Sequence, residues 1–600
     1  MQLILLWLAA AAGAGGQAVV AGRAVDAETG RPVPATITIR ASDGSIVAGH
    51  PSFRGGFRSP GEFAERVPAG ETVITVSRGC DFVAVRETAV LREGERREFV
   101  FPLRRRSPLR REGWYAGDHH AHMVHGERLI AVDFPYVALA ARAEGLDYLA
   151  LAQHWNLDPA TPEALDRACR QVSGPDFVLT WNLEAPKNYY RGDVSRCLGH
   201  GWTAGMAGRT AGAADAIREL LDLSAHDYES EKEPAPNFES HALIHSLGGV
   251  VSYSHPCRWW WGKWGGRGGY PVEEKKYVSN MAAELPFDTV AGPTYDTIDV
   301  LMPPQEREAN ACAEKLWFLL LDHGYRLPAT GSSDATFDRP GGGLPGRVRV
   351  YTRLEGGLST AAVAEALRAG RSFVTTGPLI TLEIDGRMSG DVLPLAGQRY
   401  LKVRIRAWAA GTYGAALKRV ELIRNGALVR SFNVPDSRTE FETAFGIEET
   451  RRAWYIARCF GADDSQVAIA NPVYLEPPDF QPPPPALAEI EATVTDEESG
   501  EPLSGAWDIL RRVGKREAPE QSGEFSNGRF RLRAPATARL RVRVPDYAPA
   551  TRSVFLDYAP LLETTFALQA GQLTGWATFE KFRELLGSVR LAIALHRAER

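Results

Sequence analysis

One stretch of the chain concentrates side chains suited to holding divalent cations. His120 and His122 stand two apart in Gly117-Asp118-His119-His120-Ala121-His122. On a strand that spacing turns both imidazoles to one face. His154 closes the strand-like stretch after the apolar run 146–152 (LDYLALA), Glu184 follows 177–183 (FVLTWNL), and His255 follows 250–254 (VVSYS). His200 lies in Leu198-Gly199-His200-Gly201, and Asp334 in Gly331-Ser332-Ser333-Asp334. A lone imidazole at a strand end is normally a satisfied core or loop residue. A whole set of them, with two carboxylates, is costly to bury unless something pairs with it, and a metal cluster does so. Imidazole and carboxylate suit Zn, Mn or Fe, and affinity order does not choose among them. Two such ions lower the pKa of a bound water toward about 7 and polarise the bond under attack. The nucleophile is then metal-bound hydroxide. No Ser or Cys nucleophile is needed, and no G-x-S-x-G competes.

Other residues weigh less. Asp118 reads either as a hydrogen-bonding partner of a ligand imidazole or as a strand-end cap. His241 and His245 are four apart but lack the glutamate of H-E-x-x-H, so they read as packing. Trp259, Trp260, Trp261 and Trp264 follow His255 in a Gly-rich loop. They read either as a wall for an aromatic or sugar substrate or as a loop packed over the site. Cys197 and Cys257 lie close to proposed ligands and read as neither soft ligands nor a disulfide. His125 reads first as a loop histidine, with a contribution to the metal set as the alternative.

The elements that must position these groups lie within 112–350. The segment 134–144 (FPYVALAARAE) has an apolar helical face and ends at Gly145, and 146–152 reads as a buried strand. The segment 241–247 reads as a helix stopped by Gly248-Gly249, followed by a strand at 250–253. Alternating α and β predicts a parallel sheet or barrel, with function at the carboxyl ends of its strands.

The flanks read as β. Residues 17–105 alternate in short runs punctuated by Gly and Pro. Asp26-Ala27-Glu28-Thr29-Gly30-Arg31-Pro32 is echoed by Asp496-Glu497-Glu498-Ser499-Gly500-Glu501-Pro502, so the ends carry two copies of one module, the second at 487–570. Residues 351–476 read as a further β-sandwich, with a hairpin at Asn425-Gly426. A Pro-rich linker spans 477–486, and 571–600 is expected to end the chain as an amphipathic helix. The apolar run in residues 1–16 reads as a signal peptide, which predicts an exported protein, periplasmic or secreted.

Two resemblances follow. The end modules resemble the carboxypeptidase-regulatory-like β-sandwich through their D-x-x-[TS]-G-x-P turn. They read as spacers or folding partners, with carbohydrate or cell-surface contact as the alternative. The order His-x-His, strand-end His, Glu, Gly-His, His-Pro, Ser-Asp resembles the polymerase-and-histidinol-phosphatase (PHP) superfamily, over roughly 112–475. The segments Ile244–Pro256 and Leu367–Pro378 bring it nearest to the CehA/McbA branch of metallohydrolases. The resemblance implies a multidomain α/β plus all-β chain: a distorted (β/α)7 barrel with N-terminal, middle and C-terminal β-sandwich domains. It also implies two divalent metal ions. His120, His122, Glu184 and Asp334 would hold the first, and Glu184, His200 and His255 the second. A third site in the family uses the strand-end histidine, here His154, and a histidine two residues after the aspartate, here Thr336. Gln153 also departs from the family's usual residue, so the third site is expected to be weak or absent. His154 is then a stray ligand or a proton-transfer group.

The 600 residues carry 69 Lys+Arg against 74 Asp+Glu, a net charge of −5. That balance gives no global case for nucleic acid or an anionic membrane. Six cysteines are too few for a disulfide-built scaffold. The expected partner is a small-molecule substrate, with no nucleic acid and no stable membrane insertion. The leading reading is a hydrolase of ester, amide or carbamate bonds. A phosphoesterase is the runner-up, for which Arg191, Arg258, Lys263 and Arg267 lie in loops near ligands. A non-catalytic binding protein with a degenerate metal site is the third.

Overall fold

The computed structural model describes residues 16–598 apart from 54, 126–128, 154–161, 190–196, 207–236, 258–281, 283, 436, 514–515, 536 and 555–586. His154, the tryptophan-rich loop, the loop cations and the proposed signal segment up to residue 15 lie outside the described residues.

The N-terminal module packs a three-stranded sheet on a four-stranded one. Its strands alternate buried and open positions, as Gly70–Ser77 does, because successive side chains point to opposite faces. Val20, Ile37, Ile39, Ile74, Val76 and Phe101 fill the space between. The C-terminal module repeats the plan. In each copy the first strand pairs antiparallel on one side and parallel with the last strand on the other: Gln17–Asp26 with Arg96–Leu103, and Leu487–Asp496 with Ser588–Leu595. The shared turn has one cause. Asp26 Oδ1 accepts the Thr29 amide at 2.8 Å, and Asp496 Oδ1 accepts the Ser499 amide at 2.8 Å.

That plan corrects the end of the expected C-terminal helix, whose first part, 571–586, lies outside the described residues. Ser588–Leu595 is a strand, with Val589, Leu591, Ile593 and Leu595 buried against the sandwich core. The sequence SVRLAIAL alternates apolar and other residues with period two, and a waiting sheet edge decides in favour of the strand.

In the central region Trp114–His122 lies between Tyr148–Gln153, parallel, and Arg349–Arg353, antiparallel. Val178–Leu183 adds beyond Tyr148–Gln153. A second sheet orders Lys187–Tyr189, Cys197–Ala204, Val250–Tyr253, Thr297–Leu301 and Ala329–Gly331. Among the described residues the pairing runs as these two sheets and does not close into a ring. Helices cover them. Phe134–Ala143 starts where Asp133 accepts the Tyr136 amide and ends before Gly145, which takes φ 70°.

The expected boundary at 350/351 falls inside the strand Arg349–Arg353. The sheet of Trp114–His122 continues through Ser372–Thr375 and Val467–Ala470 into Ala453–Gly461 and Leu417–Arg424. The middle β region therefore shares its hydrogen-bond ladder with the α/β region. The Asn425-Gly426 hairpin joins Leu417–Arg424 to Ala427–Asn433, both turn residues having positive φ. Among the described residues no helix is long and apolar enough to cross a membrane.

The end modules are seated on the centre. Phe53 of the N-terminal module belongs to the central core and not to that of its own sandwich. Its ring meets Phe337 edge-on at 5.3 Å, and Ser52 Oγ donates to the Phe337 carbonyl. Phe337 follows Thr336, and its amide donates to the His122 carbonyl at 2.9 Å. Phe53→Ala is expected to lower stability by about 3–5 kcal/mol, as for other buried phenylalanines. Urea unfolding of the full chain measures it, and an unchanged midpoint would show that the module is not seated here.

Candidate metal centre

His120 and His122 are fully buried at the end of Trp114–His122. Glu184 follows Val178–Leu183, His200 lies within Cys197–Ala204, and His255 follows Val250–Tyr253. Asp334 stands between two short strands, Ala329–Gly331 and Ala335–Thr336. His255 and Asp334 both take positive φ, 33° and 49°. That conformation costs a residue with a Cβ and collects where side chains must be aimed.

The groups meet. His122 Nε2 lies 3.0 Å from His120 Nε2 and 3.1 Å from Asp334 Oδ1. Glu184 Oε1 is 3.4 Å from His200 Nδ1 and 3.9 Å from His120 Nε2, while its Oε2 is 3.8 Å from His122 Nε2. Among the described residues three triads have ligand atoms within 4.8 Å of one another: His120, His122 and Asp334; His122, His125 and Glu184; Glu184, His200 and His255.

One detail tests whether a cation suits this place. His122 Nδ1 lies 3.1 Å from the Ala152 carbonyl, which can only accept, so Nδ1 carries the proton. In the neutral ring Nε2 is then an acceptor, within hydrogen-bond distance of a carboxylate oxygen and a second imidazole nitrogen. Lone pairs held this close need a proton or a cation between them. The donor set of imidazoles and carboxylates fits a divalent ion of the Zn, Mn or Fe type.

Electrostatics point the same way. Burial opposes the charge on Glu184, but Lys187, His200, His120 and His122 hold it well below the usual carboxylate range. Burial, then Lys187, pushes His200 down to about 4, and burial with His122 does the same to His125. Both rings are thus neutral at pH 7, as ligands must be.

The structure revises several expectations. Of its two readings Asp118 takes the cap and does not hydrogen-bond a ligand imidazole. Its carboxylate accepts from the Gly346 amide at 2.7 Å, the Ser333 hydroxyl and the Ser333 and His120 amides, so it holds the backbone on both sides of the site. The partners of the ligand rings are instead the Ala152 carbonyl and Ser254 Oγ, 3.1 Å from His120 Nδ1. Ser254 in turn contacts Asp299 at 3.4 Å. His125 lies in a loop, as read, and that loop brings it beside the cluster. Its ring lies 4.6 Å from that of His122, and its amide donates to Asp338. Lys187, with Nζ 3.2 Å from Glu184 Oε1, went unread, although a cation three residues after a strand-end glutamate was visible. His241 and His245 pack away from the cluster, on Thr294 and Asp296.

No protein-family profile and no curated protein matches the chain. Solved structures do overlap it. A two-domain protein from Bacteroides vulgatus containing a predicted PHP-like metal-dependent phosphoesterase covers 60% of this chain and 94% of its own, at 12% identity and TM-score 0.30. The lesion-specific endonuclease Q of Pyrococcus furiosus covers 43% of this chain, at 16% identity and TM-score 0.24. Endonuclease Q bound to a duplex with an abasic lesion covers 42%, at 18% identity and TM-score 0.27. The chain spans 56% of the length of each endonuclease Q structure.

Proposed function

We propose that the chain is an exported metal-dependent hydrolase acting on an ester, amide or carbamate bond of a small molecule. The observation that carries the metal reading is the His122 lone pair facing Asp334 and His120 at hydrogen-bond distance. His120, His122, Glu184 and Asp334 would hold one divalent ion, and Glu184, His200 and His255 a second. His125 stands ready beside the first, on the His122 and Glu184 side. Bound ions supply an activated water and a Lewis acid for the bond under attack. The chain's own residues do the rest. Glu184 lies between the two sets of imidazoles. Ser254 and the Ala152 carbonyl fix the ring orientations of His120 and His122. His154 remains proposed for proton transfer. The choice of carbonyl substrates rests on the resemblance to the CehA/McbA branch, and export on the apolar N-terminal run.

Lys187 favours a second reading, a phosphoesterase. It puts a buried positive charge beside the site, where an anionic phosphoryl group gains most. The two readings part experimentally. The full chain, loaded in turn with Zn, Mn and Fe, is assayed on aryl esters, anilides, carbamates and phosphodiesters. Turnover of a neutral carbonyl substrate without phosphodiester turnover supports the first reading. Phosphodiester turnover that Lys187→Met lowers about 10- to 100-fold in kcat/KM, the worth of a charge-assisted hydrogen bond, supports the second. Metal binding with no turnover of any class would leave the binding-protein reading.

A further inference from the structure

We propose that Cys257 and Cys312 form a disulfide that ties the loop carrying His255 to the helix Arg307–Asp322. The two sulfurs lie 2.6 Å apart, 55 residues distant in sequence, with both side chains buried. Non-bonded heavy atoms rest at about 3.5–4.0 Å even for carbon, and sulfur is larger. Two thiols do not pack at such a separation, whereas a small closure reaches the roughly 2.05 Å of a disulfide. Two of the other described thiols face oxygens instead. Cys80 Sγ faces the Tyr351 hydroxyl at 3.5 Å, and Cys459 Sγ faces the Leu379 carbonyl at 3.5 Å.

The bond joins a strained element to an anchored one. His255 holds φ 33° two residues before Cys257. The helix bearing Cys312 buries Leu316, Trp317, Leu320 and Leu321. Asn310 clamps both backbone groups of Met302, and Glu314 pairs with Arg458 at 2.8 Å. A covalent tie from this helix limits how far the His255 loop can relax. The pairing differs from a Cys197–Cys257 link.

The step is thiol–disulfide exchange with an external disulfide of the glutathione class. The two cysteines lose two protons and two electrons as one S–S bond forms, and the external disulfide leaves as two thiols. Burial of both sulfurs places the exchange during folding, before the helix seats. The bond stands independently of the metal reading. Its effect on metal affinity rests on that reading.

The test uses the full chain, refolded in oxidised and reduced glutathione and then denatured in iodoacetamide without reductant. After digestion, mass spectrometry is expected to find the Cys257 peptide joined to the Cys312 peptide, two hydrogens lighter than their sum. Cys312→Ser should release Cys257 to alkylation. Alkylation of both cysteines in the unreduced protein, or a Cys197–Cys257 link, would overturn the proposal. A Zn²⁺ titration then compares the oxidised chain with Cys257→Ser/Cys312→Ser. About tenfold weaker binding by the double variant is expected, the scale of losing a ligand's support. Equal affinity with the bond present would overturn the tether's role and leave the metal reading intact.

Discussion

Glu184→Gln is expected to empty both proposed metal positions at once. The two carboxylate oxygens face different imidazoles, Oε1 toward His200 and His120 and Oε2 toward His122. Glutamine keeps the shape but gives up the charge and one acceptor. Losing a mere hydrogen-bond partner of a ligand costs about 10- to 100-fold in metal affinity, and a bridging carboxylate should cost more than 100-fold. Lys187 would also lose its counter-charge, so the metal-free fold should weaken. Glu184→Asp, which restores the charge, should recover part of both losses. Zinc titration by calorimetry reads the first effect and urea unfolding the second. Affinity within a few-fold of the parent would contradict a bridging role.

The second large effect is loss of stability in mild acid. Burial holds His119 down at about 3, and His125 and His200 at about 4, against 6.5 in an unfolded chain. Between pH 6.5 and about 4 the unfolded chain therefore binds protons that the folded chain refuses. The sign follows: stability falls as pH falls through this window. His200 alone contributes about 3 kcal/mol across it, at about 1.4 kcal/mol per pH step. Below the ordinary range of a glutamate the depressed pKa of Glu184 adds to the loss, since its stabilising charge disappears as pH approaches its folded value. Buried carboxyls such as Asp299, pushed up to about 6, and Glu284, pushed well up, act with the opposite sign in the same window. The imidazole share is therefore read by difference: between pH 6 and 4 the urea midpoint of metal-free His200→Gln should fall less than that of the parent, and parallel profiles would mean that the His200 ring is not buried as a neutral group. Bound metal should steepen the profile, because protons compete with it for the same nitrogens.

How much was legible depends on whether the signal was periodic. His120, His122, Glu184 and His255 were readable as a group because each sits in or just after an apolar run whose strand has a parallel neighbour, whereas His200 arrives on a strand antiparallel to both of its neighbours. The module repeat was readable from an aspartate, a hydroxyl residue, a glycine and a proline at fixed spacing, since the Asx turn demands those types. The partners of the rings were not. Ala152 acts through its backbone carbonyl, which no side chain advertises, and Ser254 is one serine among many. Asp118 carries the right chemistry, but its oxygens are taken by backbone amides whose approach depends on the tertiary fold. His125 lies in a segment without period, so nothing local marks it. The last strand and the division at 350/351 failed for another reason. Both are settled by sheet edges supplied from distant sequence, Leu487–Asp496 in one case and Trp114–His122 in the other.

Metal content tests most directly whether the imidazole and carboxylate cluster is a dinuclear metal centre. The full chain, purified without chelators and reconstituted with Zn, Mn or Fe, is analysed by inductively coupled plasma mass spectrometry beside His120→Ala and Asp334→Ala. About two ions per chain are expected, as a two-metal site requires, with depletion in both variants. No metal on the parent chain after reconstitution, or content unchanged in the variants, would contradict it.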